Sequence, residues 1–251
     1  MRIIITAAIF FAVLAVSAHA GVPFITDDPA PIDYRCWEII AGSQILKTGS
    51  LFFETAPHIE ANYGAVHNIE LHLLVPMLIN STTRSYGLSD IESGIKACVI
   101  KEGNTVPEIS ASIAVLFPTG NHSRGLGTGQ IFLLLPLWLQ KTFGPLSAYG
   151  GGGYWLSIGP SSESFWLFGT VAQGDWGEKL SLGAEVYLYA FKQSGAPTDV
   201  AFNVGGSYAF TETRQLLLSI GTGIAGKIDL SAYAGFRVLI GTPEAAILHC
   251  R

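Results

Sequence analysis

The chain has 251 residues, of which 49% are hydrophobic and only 13% are charged, about half the charged share usual for a soluble globular protein. This composition excludes intrinsic disorder, and 14 Lys and Arg against 19 Asp and Glu, with no basic cluster, argue against nucleic-acid binding. So apolar a chain suggests a membrane protein, whose class depends on whether the apolar residues are contiguous or alternate.

Residues 1–20 have the three regions of a secretory signal peptide. Arg2 supplies the positive charge, residues 3–16 form an apolar run, and Ala18-His19-Ala20 is a small-x-small cleavage site. A transmembrane helix needs about 20 apolar residues, so the run at 3–16 is too short to be one, and no later segment is long and apolar enough. We therefore expect export, a mature chain from Gly21, and an N-terminal periplasmic segment over 21–35.

The next part of the chain, 36–240, has the period of two that is typical of β-strands. In Leu180–Ala190, for example, Leu and Val side chains alternate with Ser, Gly, Glu and Tyr. The pattern predicts about twelve strands, at 36–46, 53–64, 69–79, 90–101, 106–117, 129–140, 145–156, 165–173, 179–191, 199–210, 215–224 and 229–240. The strand at 129–140 is apolar on both faces, so its inward side chains must meet a plug or an oily solute.

The predicted connections alternate between short turns and longer loops rich in Gly, Ser and Pro. Short periplasmic turns and longer external loops are typical of outer-membrane barrels, and strands of about 9–11 residues match the bilayer. The sequence therefore predicts an all-β fold, a transmembrane antiparallel β-barrel with up-and-down topology. Aromatic residues near strand ends, among them Phe53, Trp138 and Trp155, are interpreted as interfacial girdles.

The polar faces of these strands predict a lumen. Its candidate lining is His58, Glu60, Asn62, Glu70, His72, Glu92, Lys96, Glu108, Glu185, Tyr187, Tyr189, Asn203 and Arg237. Five carboxylates against two fixed cations favour cations or neutral solutes over anions. The same charges could instead pair across the barrel and plug it, and the sequence leaves both interpretations open.

The ends of the chain carry two further features. Cys36 and Cys250 flank the predicted barrel and could form a disulfide where its ends meet. Residues 241–251 form a C-terminal tail that could fold into the periplasmic mouth. The adjacent carboxylates of Asp27 and Asp28 could bind a cation, but a turn at the periplasmic rim is the simpler interpretation, and no cofactor or metal is predicted.

Two blocks of sequence resemble a known family. Phe24-Ile25-Thr26-Asp27-Asp28-Pro29 followed by Trp37-Glu38, and then Asn62-Tyr63-Gly64 with Asn68–Leu73, resemble the opening of bacterial outer-membrane proteins named for the MetA pathway of phenol degradation. In that family a His often stands where this chain has Cys36. The resemblance implies an outer-membrane transporter for small, hydrophobic or aromatic solutes.

Three functions are therefore open. The first is a monomeric outer-membrane channel without a catalytic step. Its expected partners are outer-membrane lipid, a small-molecule solute and the barrel-assembly machinery. The second is a plugged barrel with a structural or adhesive role. The third is a barrel hydrolase, for which the adjacent His122 and Ser123 are a weak signal, since adjacency in sequence is not the geometry of a nucleophile and its base.

Overall fold

The structure, a computed structural model, describes residues 22–49, 51–159, 164–192 and 198–241. Its strands are β1 (Trp37–Thr48), β2 (Leu51–Val66), β3 (Ile69–Asn80), β4 (Ser85–Leu88), β5 (Ile91–Ile100), β6 (Glu108–Phe117), β7 (Ile131–Phe143), β8 (Leu146–Ile158), β9 (Phe165–Trp176), β10 (Leu180–Phe191), β11 (Asp199–Thr211), β12 (Arg214–Ala225) and β13 (Leu230–Ile240). A single 3-10 turn spans His122–Arg124 in the described chain. No described helix is long and apolar enough to cross a membrane.

The strands form a closed antiparallel barrel. Apart from β4 and β5, each strand pairs with its neighbours in chain order. β1 closes the barrel by pairing with β13, from Trp37 opposite Ile240 to Lys47 opposite Leu230. β4 pairs with the outer half of β3 and β5 with its inner half, so these two strands occupy one place in the wall. The barrel therefore has twelve strand positions and the predicted up-and-down topology is confirmed. Residues 80–89, which the predicted strands at 69–79 and 90–101 left as a loop, contain a further strand at 85–88, where β4 pairs with β3.

The outer surface of the barrel is apolar along most of its height. Leu135, Leu137, Phe168 and Ile220 are among the large apolar side chains that are exposed. Strands of twelve residues at about 3.3 Å per residue are about 40 Å long, which at a tilt of about 45° spans the hydrocarbon core of a bilayer. Both described ends of the chain lie at the end with the short turns, which is the periplasmic end in such barrels.

The N-terminal segment, residues 22–36, enters the barrel: residues 22–28 lie in the lumen, whereas Arg35 is exposed and its N–H donates to the Gly64 carbonyl near the periplasmic end of β2, at 2.7 Å. Its backbone is bound to the wall by the Ser219 hydroxyl, which donates to the Pro23 carbonyl at 2.6 Å, and by Thr26 N–H, which donates to Glu185 at 2.6 Å. Phe24 is buried against Tyr149 and Val171. The structure thus corrects the expected place of Thr26 and its neighbours at the periplasmic rim. The segment enters the lumen because partners from several strands satisfy its polar backbone there.

Glycines on the inner face of the wall make room for this segment. A Cβ on Gly169 would overlap the Thr26 hydroxyl, and a Cβ on Gly183 would lie 3.1 Å from the Phe24 ring. Neither glycine has a backbone angle that requires glycine, so close approach of the segment is the reason for the residue type.

The outer half of the lumen is filled with apolar side chains, which we call the outer apolar cluster. Its members are Ile25, Leu46, Phe53, Leu78, Ala114, Leu116, Leu126, Phe132, Leu134, Trp155, Phe165, Leu167, Tyr187, Tyr189, Ala201 and Ile228. The interpretation of Phe53 and Trp155 as girdle residues was therefore wrong, as it was for the buried Trp138. Phe132 and Leu134 are the inward side chains of the strand that is apolar on both faces, and they pack into this cluster.

Candidate functional site

The inner half of the lumen is polar, and its cations Lys96 and Arg237 are paired with carboxylates. Lys96 binds both carboxylate oxygens of Asp27, at 2.9 and 3.0 Å, and lies 4.0 Å from Glu70. Arg237 binds Glu38 at 3.1 Å, on strands that are neighbours through barrel closure. These pairs join β1 to β13 and the N-terminal segment to the wall.

A second group of polar side chains surrounds His72. Its ring lies 3.6 Å from both Glu60 and Glu92, and its Nδ1 contacts the Asn62 side-chain oxygen at 2.7 Å. The Asn62 amide donates in turn to Glu60 and to Glu38, at 2.8 and 3.0 Å. The result is a continuous network across β1, β2, β3 and β5, which a buried set of carboxylates requires because unpaired buried charges are costly.

The remaining lumen candidates lie on the same inner face. His58 contacts Thr55 at 3.1 Å and the Tyr233 hydroxyl at 3.3 Å, whereas Glu185 accepts from the Asn203 amide at 2.7 Å. Tyr187 and Tyr189 pack in the outer apolar cluster, and Glu108 lines the inner cavity described next. Of the two open interpretations, paired and hydrogen-bonded charges describe these contacts better than an unpaired acidic ring.

A cavity of about 1370 Å³ separates the N-terminal segment from one side of the wall. Its polar lining includes Asp28, Glu70, Glu92 and Lys96, and it reaches the periplasmic turns at 101–104 and 212–213. At its other end it meets Leu134 and Leu167, both members of the outer apolar cluster. The lumen is thus a polar vestibule facing the periplasm, followed by a packed apolar region facing outward.

A salt bridge beside this cavity joins the β5–β6 turn to the periplasmic end of β7. Lys141 donates to Glu102 at 2.8 Å, and the backbone and hydroxyl of Thr142 donate to the same carboxylate at 2.9 Å. The hydrogen bond from Lys141, followed by those from Thr142, lowers the pKa of Glu102. The carboxylate therefore stays charged and holds the β5–β6 turn against the end of β7 at the mouth of the vestibule.

An external loop, residues 118–130, closes the opposite end. Asp90 is fully buried where β4 ends and β5 begins, and it accepts from Gly120 N–H at 2.9 Å and Thr128 N–H at 2.6 Å. The Asn80 amide donates to the Gly125 carbonyl at 2.9 Å. Leu126, at the tip of the loop, is buried in the outer apolar cluster. The loop is therefore both hydrogen-bonded to the wall and packed into the lumen.

Replacing Asp90 with alanine is expected to free this loop. The substitution removes two hydrogen bonds to a charged acceptor, each worth about 1.5–3 kcal/mol. Trypsin cleavage after Arg124, which is exposed in the loop, should become at least about tenfold faster, because cleavage follows the open fraction of a segment. Ser123→Ala is the matched control, since Ser123 is exposed and bonds only within the loop, to Asn121. An unchanged cleavage rate in Asp90→Ala would contradict the role assigned to Asp90.

The structure does not bring the hydrolase candidates together. The Ser123 hydroxyl donates to the Asn121 side chain at 2.8 Å, whereas His122 Nδ1 contacts the Gly127 carbonyl at 3.2 Å. Among the hydrogen bonds described in this loop, none joins Ser123 to His122. Within the described ranges no group of three or more His, Cys, Asp or Glu is placed to hold a metal ion. Cys36 is buried at the start of β1, and the disulfide to Cys250 stays a prediction because residues 242–251 lie outside the described ranges, as do residues 1–21.

Several residues of the site were not identified from the sequence. Glu38 was assigned only to the family motif, but its side chain binds Arg237 in the lumen. The preceding residue of the motif, Trp37, lies on the outer surface, where its ring stacks on Tyr63 with centroids 4.4 Å apart. Asp90 and Gly169 had no signal, since their roles depend on a loop and a segment distant in the chain. The alternation along β8 could have placed Trp155 inside, because it shares the face of Tyr149.

Comparison with known proteins gives structural matches only. No family model and no curated protein matches the sequence. The fold is similar to the COG4313 outer membrane channel from Pseudomonas putida F1, with a TM-score of 0.69 and 14% identity over 85% of this chain and 98% of that one. It is also similar to the KdgM porin, with a TM-score of 0.57 and 9% identity over 80% of this chain and 98% of that one. A third similar fold is the translocator domain of the autotransporter NalP from Neisseria meningitidis, with a TM-score of 0.50 and 10% identity over 80% of this chain and 88% of that one. At these identities the chain shares with them the fold of an outer-membrane β-barrel.

Proposed function

We propose that this chain is an outer-membrane channel for small apolar solutes, aromatic ones in particular. The observation that carries the proposal is the outer apolar cluster, which fills the external half of the lumen and meets the inner cavity at Leu134 and Leu167. A pathway for ions or sugars needs polar groups along its length, whereas packed aromatic rings exclude water and favour apolar molecules.

Two likenesses support the same class of function. The COG4313 protein of similar fold is an outer membrane channel, and the KdgM protein is a porin. The resemblance of Phe24–Pro29 and Trp37-Glu38 to proteins named for phenol degradation suggests aromatic solutes. On this proposal the solute enters at the external loops, passes between the rings of the outer apolar cluster and leaves through the vestibule to the periplasm.

Uptake of labelled ethylbenzene by bacterial cells with and without the chain tests the proposal, because lipopolysaccharide slows entry of apolar solutes through the bare outer membrane. We expect faster uptake with the wild-type chain. Leu134→Asn should reduce this gain by about tenfold. An apolar solute that passes the amide must remove its water without offering a hydrogen-bond partner, which costs about 1–3 kcal/mol. Leu134→Met keeps the volume and the apolar character and is the matched control.

A second measurement separates the alternatives. Swelling of liposomes in arabinose reports passage of a small polar solute, and we expect none through the wild-type protein. Rapid swelling without any gain in ethylbenzene uptake would indicate a water-filled porin and contradict the proposal. A folded barrel that passes neither solute would favour the plugged structural role.

A further inference from the structure

Trp155 carries a polar group that the outer apolar cluster does not use. Its side chain is 1% exposed and stacks on Phe165, with ring centroids 5.5 Å apart and planes 11° apart. The ring of Phe132 on β7 lies beside the indole, with ring centroids 6.3 Å apart. The indole Nε1–H nevertheless has no hydrogen-bond partner in the described chain.

An unused donor at this place is costly. A buried donor without an acceptor costs about 1–3 kcal/mol, and buried tryptophans usually find a partner for their N–H. Phenylalanine would supply a ring for the same stacking without that cost. A tryptophan here is therefore better explained by an acceptor that comes from outside the chain.

Trp155 also stands where a solute would pass. It is paired in the β-ladders with Leu134 of β7 and Phe165 of β9, and Leu134 lines the inner cavity. The indole is thus one side chain beyond the apolar end of the cavity. An aromatic solute moving between cavity and cluster would replace one of the rings that now stack around it.

We propose that the Trp155 indole N–H recognises a neutral aromatic solute that carries an oxygen acceptor beside its ring, such as an aryl ketone, aryl ester or phenol. This inference rests on the proposed channel function and adds its specificity. The solute ring stacks in the outer apolar cluster, and its oxygen accepts the indole hydrogen. Anionic aromatics are disfavoured because an apolar cluster offers no countercharge and Glu60, Glu70 and Glu92 lie along the vestibule.

Acetophenone and ethylbenzene test this, since the two have nearly the same shape and differ by the carbonyl oxygen. In cells that contain the wild-type chain or Trp155→Phe, the ratio of acetophenone to ethylbenzene uptake should fall about fivefold to tenfold in the variant, the value of one hydrogen bond of about 1–1.4 kcal/mol. Trp166→Phe is the control, because Trp166 is exposed on the outer surface, where it stacks on Phe168 and does not line the cavity. An unchanged ratio in Trp155→Phe, or an equal fall in Trp166→Phe, would overturn the inference.

A binding measurement keeps the inference separate from the channel function. Full-length mature protein labelled with 15N-tryptophan gives indole signals in detergent micelles, and the signal lost in Trp155→Phe belongs to Trp155. Acetophenone should move the Trp155 indole proton downfield, whereas ethylbenzene should not. If neither solute enters cells faster than without the chain, the channel function fails, and the indole signal still decides the inference: no selective shift overturns the donor role.

Discussion

A valine in place of Gly169 is expected to expel the N-terminal segment from the lumen and to make a closed barrel conduct. The Gly169 Cβ alone would overlap the Thr26 hydroxyl, and the two valine methyl groups extend further into the space of the segment. Overpacking of this kind costs about 1–3 kcal/mol, which raises the ratio of released to bound segment by about fivefold to 150-fold. Release of the segment also takes Ile25 out of the outer apolar cluster and leaves the cluster without support on its periplasmic side, so water can enter between its rings. Planar-bilayer recordings should therefore change from silent to discrete openings, and swelling in arabinose should increase with them.

Gly174→Val is the matched control for this experiment. Gly174 lies on the same strand, β9, and the atoms nearest to a Cβ at that position are 3.8 Å away, which is ordinary contact. This variant should fold and stay silent. Openings of equal frequency in both variants would show that a general weakening of β9, and not release of the segment, causes conduction.

Replacing Lys96 with methionine is expected to release the same segment by a different cause. Lys96 is the cation beside Asp27 and Glu70, and its Nζ also donates to the Asp28 carbonyl at 3.2 Å. Removing one partner of a buried ion pair costs about 3–5 kcal/mol because the carboxylates are left without a countercharge. We expect conductance and a lower free energy of unfolding in urea.

Two further variants identify the charge as the cause. Lys101→Met changes the net charge equally, but Lys101 is exposed at a periplasmic turn, so this barrel should stay closed. Adding Asp27→Asn and Glu70→Gln to Lys96→Met removes the stranded carboxylates and should restore most of the lost stability. If this triple variant conducts as strongly as Lys96→Met, the uncompensated charge is not what releases the segment.

The wall of this barrel could be predicted from the sequence because each strand carries its own evidence. Period-two alternation and sorted turn lengths are local properties, and they located twelve of the thirteen described strands within a few residues, all except β4. Pro57 shows where the method fails. The β2–β3 register shifts between Thr55 and His58, so Phe53 and Thr55 lie on the inner face together with His58, although simple alternation from His58 places Phe53 outside.

The contents of the lumen could not be predicted in this way. Thr26 meets Glu185 and Gly169, which are more than 140 residues away in the chain, and a glycine chosen for close approach looks like any other strand glycine. An aromatic near a strand end fits an interfacial girdle and a lumen equally well until neighbouring strands are in register. The polar candidates were easier to identify. A Glu or His in an otherwise apolar membrane strand is unfavourable on the face that contacts lipid, so its side chain must face the lumen.

The place of the N-terminal segment also bears on the order of assembly. Residues 22–36 leave the ribosome before any strand, yet their hydrogen-bond partners include Glu185 and Ser219, 159 and 196 residues later. Contacts so distant in sequence form late, because the intervening chain must first be ordered. The part that is synthesised first is therefore seated last. Until β8 and β9 are in place, Phe24 has no burial site, and a chaperone that binds apolar segments has a target ahead of the first strand.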